Sequence, residues 1–239
     1  VLFLKPSQTF QTSLQIELKK QETATPESKI HYTTDGSIPN ETSLVYTNQI
    51  TLRDSTSIKA RLIHPEGGMG PISSETYFEL QSSLANRSSN LPLIILENYG
   101  DGRPSSGDYQ TASMAIIEPS DGRGRFKDPL TVVSQVGIKT RGSSTGGRSK
   151  SSLSMEMQDE FGQDKNLSLI GMPNESDWVL WGPYNFDLTL MHNPFIFELS
   201  RQIGRYAPRT RFVELYMNTG GGALSTADYF GVYALMEKI

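Results

Sequence analysis

Residues 136–158 read VGIKTRGSSTGGRSKSSLSMEMQ, and the element on the far side of the glycine- and serine-rich turn decides the fold. Val136 to Arg141 enters the turn as a short strand. Beyond it Leu153, Met155 and Met157 alternate with Ser154, Glu156 and Gln158, the period of a half-buried strand. Gly142 and Gly147, followed by Arg148-Ser149-Lys150-Ser151, come close to the phosphate loop Gly-x4-Gly-Lys-Ser, but the Lys-Ser pair arrives two residues late. A true loop of that kind opens a helix whose first amides hold the phosphates. A strand in that place argues against it. The same residues suit another anion device: a turn of small residues lets backbone N–H groups approach a phosphate, and Lys150 supplies a point charge. With less chemistry, they describe a surface hairpin carrying a solvated lysine.

Outward from this turn the pattern stays mixed. Leu93–Leu96 and Met114–Ile117 read as short buried strands. Arg211–Met217 and Tyr229–Lys238 read as an antiparallel pair, the last strand apolar on both faces and therefore covered on both. One helix is predicted between Asp187 and Gly204. Asn193 is an N-cap type before Pro194, and Ile196, Leu199 and Ile203 share a face; alternatively, Asp187 caps an earlier turn. Toward the N-terminus, the serine-rich stretch 81–90, QSSLANRSSN, reads as a linker. Before it, Leu14, Ile16, Leu18 and Ile58, Ala60, Leu62 alternate with Gln15, Glu17 and Lys59, Arg61, which places the polar set on a solvent face. Asp35-Gly36 marks a tight reversal. Residues 1–80 are therefore expected to form a small all-β sandwich.

The 239 residues allow one large domain or two small ones. With 22 Lys+Arg against 26 Asp+Glu and the basic residues scattered, nothing points to nucleic acid as a partner. The absence of cysteine removes disulfides, thiolate zinc sites and cysteine nucleophiles. No apolar run approaches the ~20 residues of a membrane span. A start at Val1 and a last strand that runs to Glu237-Lys238-Ile239 read as a piece of a longer polypeptide. His31, His64 and His192 lie far apart, and Asp101, Asp108 and Asp121 lack the spacing of a calcium loop. Trp178 and Trp181, near Tyr184 and Phe186, could form a stacking platform, but Val179 and Leu180 between them favour core packing. Asn40, Asn86, Asn166 and Asn174 head Asn-x-Ser/Thr triplets that matter only in a eukaryotic secretory pathway.

Four stretches carry a resemblance: GIKTRGSST (137–145), Lys150-Ser151, LSLIGMPNESDWVLWGPYNFDLTLMHNPFIFELSRQIGRYAPRTRFVELYMN (167–218) and YFGVYALMEKI (229–239). In this order they resemble the CotH kinase family, atypical protein kinases first known from bacterial spore coats. The first region, with IHYTTDGSIPN (30–40) and SIKARLI (57–63), resembles the immunoglobulin-like module at the C-terminus of chitobiases, often attached to secreted bacterial proteins. The resemblance implies an Ig-like β-sandwich at 1–80, a linker at 81–90 and, at 91–239, part of an α+β, protein-kinase-like N-lobe made of an antiparallel sheet and one main helix. Mapped onto this chain, Arg141, Gly142, Ser143 and Ser144 would cover the phosphates of ATP and Lys150 would be the strand lysine. Glu198 would be its helix partner, and Glu237, Lys238 and Ile239 would approach the adenine. The family's usual Lys-Lys-Ser is Ser149-Lys150-Ser151 here, one lysine short. The aspartates that serve as base and hold Mg²⁺ are expected beyond residue 239, leaving no catalytic residue within it. The implied reaction is Mg-ATP-dependent transfer to Ser or Thr of a protein, such as a coat or surface protein, by a secreted or surface-associated bacterial protein. A non-catalytic adhesion or carbohydrate-binding assembly, with cell-surface polysaccharide as partner, is the alternative.

Overall fold

The computed structural model describes residues 1–22, 24–142, 146–184 and 187–238. Ser143, Ser144, Phe186 and Ile239, named above, lie outside the described residues. In the first region five strands, Gln8–Phe10 (β1), Lys29–Thr33 (β2), Leu44–Val45 (β3), Thr56–Ile63 (β4) and Ser73–Glu79 (β5), form one sheet in the order β1-β5-β4-β2-β3. Two short pairs, Leu2–Phe3 with Leu18–Lys19 and Leu14–Ile16 with Ile50–Leu52, share its core. Ile16, Ile58, Ala60 and Tyr77 are buried there, where alternation puts them.

The opposite face of β4 behaves differently from its expected solvent role. Lys59 is only 4% exposed, because the second region lies against it. Its ammonium donates to Gln135 Oε1 at 3.0 Å and to the Glu160 carbonyl at 2.7 Å. The stretch 81–90 is also packed against neighbours. Ser82–Ala85 forms a short helix (α1) that buries Leu84 with Phe78, Leu80, Leu93 and Phe126. Ser88–Ser89 pairs with Gly124–Arg125, and Gln81 N–H donates to the Leu224 carbonyl at 2.9 Å.

The second region is a closed barrel of seven strands. They are Leu93–Glu97 (β6), Gln110–Ile117 (β7), Val132–Arg141 (β8), Ser152–Gln158 (β9), Asp177–Trp181 (β10), Thr210–Asn218 (β11) and Tyr229–Glu237 (β12). The order around the wall is β6-β7-β8-β9-β10-β12-β11. All contacts are antiparallel except the closing one, where β6 runs parallel to β11 in the register Leu93↔Glu214 to Glu97↔Asn218. The interior holds Ile94, Leu96, Met114, Ile138, Met155, Trp178, Leu180, Tyr233 and Leu235, all fully buried. Each such side chain contributes about 1.5–3 kcal/mol of apolar burial.

This corrects the expected α+β, kinase-like N-lobe. The sheet closes on itself, so its apolar face is satisfied inside the barrel and needs no helix to cover it. The main helix, His192–Gln202 (α2), lies outside the wall, and Pro194 is its only buried residue. Its apolar stripe faces solvent: Ile196 is 49% exposed, Leu199 42% and Ile203 70%. Its start is also set differently from the Asn193-Pro194 reading. Asp187 accepts from the N–H groups of Thr189 at 3.1 Å and His192 at 2.9 Å. Pro194 thus sits inside the first turn, where its missing N–H leaves no bond unmade. Among the described residues, no helix is long and apolar enough to cross a membrane.

Candidate nucleotide site

Alternation along the barrel strands sends one set of side chains inward and leaves the other to build a site. In β10, Trp178 and Leu180 enter the core while Val179 and Trp181 point out. In β12, Tyr233 and Leu235 point in, and Met236 faces out. Between this outer wall and α2 lies a cleft of about 330 Å³, within the usual size range of small-molecule sites. Val179, Trp181, Met236, Phe197 and Pro208 supply its apolar surface, and Arg141, Gly142, Lys150, Glu237 and Lys238 its polar one.

Five of the residues expected to meet a nucleotide therefore share this cleft, although they come from the end of β8, the turn before β9 and the end of β12. Lys150 stands at its rim. Its ammonium is 5.1 Å from the centroid of the Tyr233 ring. It packs beside Gly231, whose φ of +110° favours glycine and where an added Cβ would come within 3.5 Å of Lys150 Nζ. Among the described residues no carboxylate forms an ion pair with Lys150. Desolvation by burial alone pushes its pKa down. A half-buried cation without a counter-charge favours an arriving anion.

Two other charges in the cleft, Glu237 and Lys238, are already engaged. Glu237 is buried and accepts from the Arg209 N–H at 2.6 Å and from Arg209 Nη1 at 2.9 Å. Lys238 Nζ pairs with Asp177 Oδ1 at 2.6 Å, a bond that raises the lysine's pKa. Glu198 does not join them. The expected pairing with Lys150 is not made: Glu198 bonds Arg201 and Gln202 on its own helix, and these contacts hold its carboxyl below the usual range. At positions i, i+3 and i+4 those partners are the nearest available, and Glu198 is not among the residues that line the cleft.

Trp181 is a cleft residue that the sequence reading undervalued. The signal was present, since Trp178 and Trp181 are three apart in a strand and so lie on opposite faces. Trp178 is fully buried and donates its indole N–H to the Glu175 carbonyl at 3.0 Å, which removes the paired stacking platform. Arg209, which fixes Glu237, carries no local signal at all, because its partner is on a neighbouring strand.

Residues 138–239 match the family model described as CotH kinase protein, and residues 16–77 match the one described as Fn3 associated. No curated protein matches the chain. The kinase-family match begins within β8 and includes every strand that borders the cleft. The upstream match covers β2 to β4 and most of β5. The chain thus carries a CotH kinase family segment behind an Fn3-associated module.

Proposed function

We propose that this chain supplies the nucleotide-binding portion of a CotH-type kinase that transfers the terminal phosphoryl group of ATP to Ser or Thr of a protein partner. The observation that carries the reading is the cleft itself. Its lining joins Lys150, a half-buried cation without a carboxylate ion-pair partner among the described residues, with Arg141 and the apolar Trp181, Phe197 and Met236. A flat base suits the wall, and phosphate oxygens suit the cations. Phosphoryl transfer asks mainly for this kind of positioning and charge neutralisation.

Two requirements of the reaction are not met by the cleft's own lining. Among the described residues its sole carboxylate is Glu237, committed to Arg209, so the base that takes the acceptor's hydroxyl proton must come from elsewhere. Nor do three or more His, Asp or Glu converge as a metal site among the described residues. Mg²⁺ at this cleft would be held chiefly by the nucleotide's own phosphates, whose charge it would neutralise. The chain's residues would bind and orient the nucleotide. Isothermal titration of the chain with ATP and Mg²⁺ tests this. Saturable binding that Lys150→Ala weakens roughly 100-fold is expected, and equal affinity in both proteins would sink the reading.

A further inference from the structure

Behind the same turn lies a second cavity, of about 200 Å³, at the mouth of the barrel. Thr140 from β8, Ser151, Leu153 from β9, Met217 from β11 and Phe230 from β12 border it, together with Arg148, whose guanidinium lies 5.9 Å from the centroid of the Tyr184 ring. Arg103, from the loop between β6 and β7, reaches into this place. Its guanidinium lies 4.9 Å from the centroid of the Phe230 ring, and its Nη1 donates to the Ser149 carbonyl at 3.4 Å. No carboxylate forms an ion pair with it among the described residues.

The backbone that carries Arg103 is fixed on both sides. Gly102 N–H donates to the Thr219 carbonyl at 3.0 Å, and Thr140 N–H to the Ser105 carbonyl at 2.7 Å. Thr140 Oγ1 donates to the Pro104 carbonyl at 2.7 Å, and Pro104 is buried. An arginine whose loop is bonded to the strand feeding the glycine turn is positioned before any ligand arrives. Arg103 and Lys150 approach the start of β12 together: one stacks on Phe230, the other lies beside Gly231 and the Tyr233 ring. Neither has a carboxylate partner among the described residues, so an anion held against the start of β12 would gain charge-assisted contacts from both. A guanidinium fork is shaped for two phosphoryl oxygens at once.

We infer that Arg103 and Lys150 form a phosphoryl-binding site at the barrel mouth, with Arg103 a binding residue contributed from outside the family-matched segment. Its ligand is the polyphosphate of a nucleotide, an identity that rests on the proposed function; the anion site itself rests only on the geometry.

The test is calorimetric titration of the full chain and of Arg103→Ala and Arg103→Lys with inorganic tripolyphosphate, ATP and AMP. Arg103→Ala is expected to weaken tripolyphosphate and ATP about 10-fold and to leave AMP unchanged, since one charge-assisted contact is lost. Arg103→Lys should fall between. Equal tripolyphosphate affinity with and without Arg103 overturns the inference, as does an unmodified chain that binds neither tripolyphosphate nor ATP. An equal loss for AMP also overturns it, because that marks general damage to the fold. Failure of the nucleotide reading looks different: tripolyphosphate binding would still depend on Arg103, while ATP would bind no better than tripolyphosphate and AMP not at all. That outcome supports the anion site alone.

Discussion

The seam between the two regions and the mouth of the barrel each withdraw a lysine from water, and they treat it in opposite ways. Lys59 loses solvent at the seam but gains Gln135 Oε1, the Glu160 carbonyl and the nearby charges of Glu160, Asp159 and Asp35. Lys150 loses solvent at the cleft and gains no charge in return. Burial lowers the pKa of both, but at Lys59 the surrounding carboxylates oppose the shift. A compensated charge holds parts together. An uncompensated one is poised for a ligand. The same residue type thus acts as a clamp in one place and as a receptor in the other.

The contrast can be broken most directly at Lys150. Lys150→Ala should lower ATP affinity roughly 100-fold, the loss of a charged group that meets several phosphate oxygens, while thermal stability stays level or rises. A fall in melting temperature instead would make Lys150 a structural residue like Lys59. The lowered pKa adds a pH signature. Lys150 is charged below its folded pKa and neutral above it, so ATP affinity should decline at alkaline pH before an ordinary lysine would titrate.

Glu97 extends the contrast to a buried carboxyl. It lies at the end of β6 and accepts from Tyr99 N–H at 2.7 Å and from Asn218 Nδ2 at 2.8 Å. No cation pairs with it among the described residues. Desolvation pushes its pKa up to about 7 against these hydrogen bonds. The folded state therefore holds its proton longer than the unfolded chain does. Stability is full below about pH 4.5, falls as the pH rises toward 7 and then levels off, by about 3 kcal/mol in total. Denaturant midpoints measured across that range should show the decline, and Glu97→Gln should flatten it.

Lys59→Met should cost about 1–2 kcal/mol in chemical denaturation, because Gln135 Oε1 and the Glu160 carbonyl lose their donor where water is scarce. A neutral result would mean that apolar packing alone holds the seam. The smallest effect is expected at Glu198. Glu198→Gln should leave ATP affinity within about 2-fold, as its contacts stay within α2 and exposed helix pairs are weak. A large loss would restore the pairing with Lys150 that this structure does not make.

Much of the architecture was legible because it is local. Leu153, Met155 and Met157 announced their strand, and the double-faced apolar pattern of Tyr229–Glu237 announced a central one. The glycine turn was located, and Arg141, Gly142, Lys150, Glu237 and Lys238 do converge on one cleft. The errors share a cause. Ile196, Leu199 and Ile203 showed that α2 has an apolar face but not what would cover it, and the kinase-like lobe assumed that the sheet would. Lys59 alternated as a solvent residue, and only the second region's presence buried it. Glu198 was given a distant partner although Arg201 and Gln202 were in reach on its own helix.

By itself the sequence determined many of the strands and where the chain turns, since period and glycine placement are properties of short stretches, while the residues expected at the cleft came from the family resemblance. Only the tertiary structure decided that the sheet closes. That closure is the parallel pairing of Leu93–Glu97 with Thr210–Asn218, between segments so distant in the chain that no local pattern encodes it. It puts the core inside a barrel, leaves α2 outside, and fixes which of two lysines keeps its charge uncompensated.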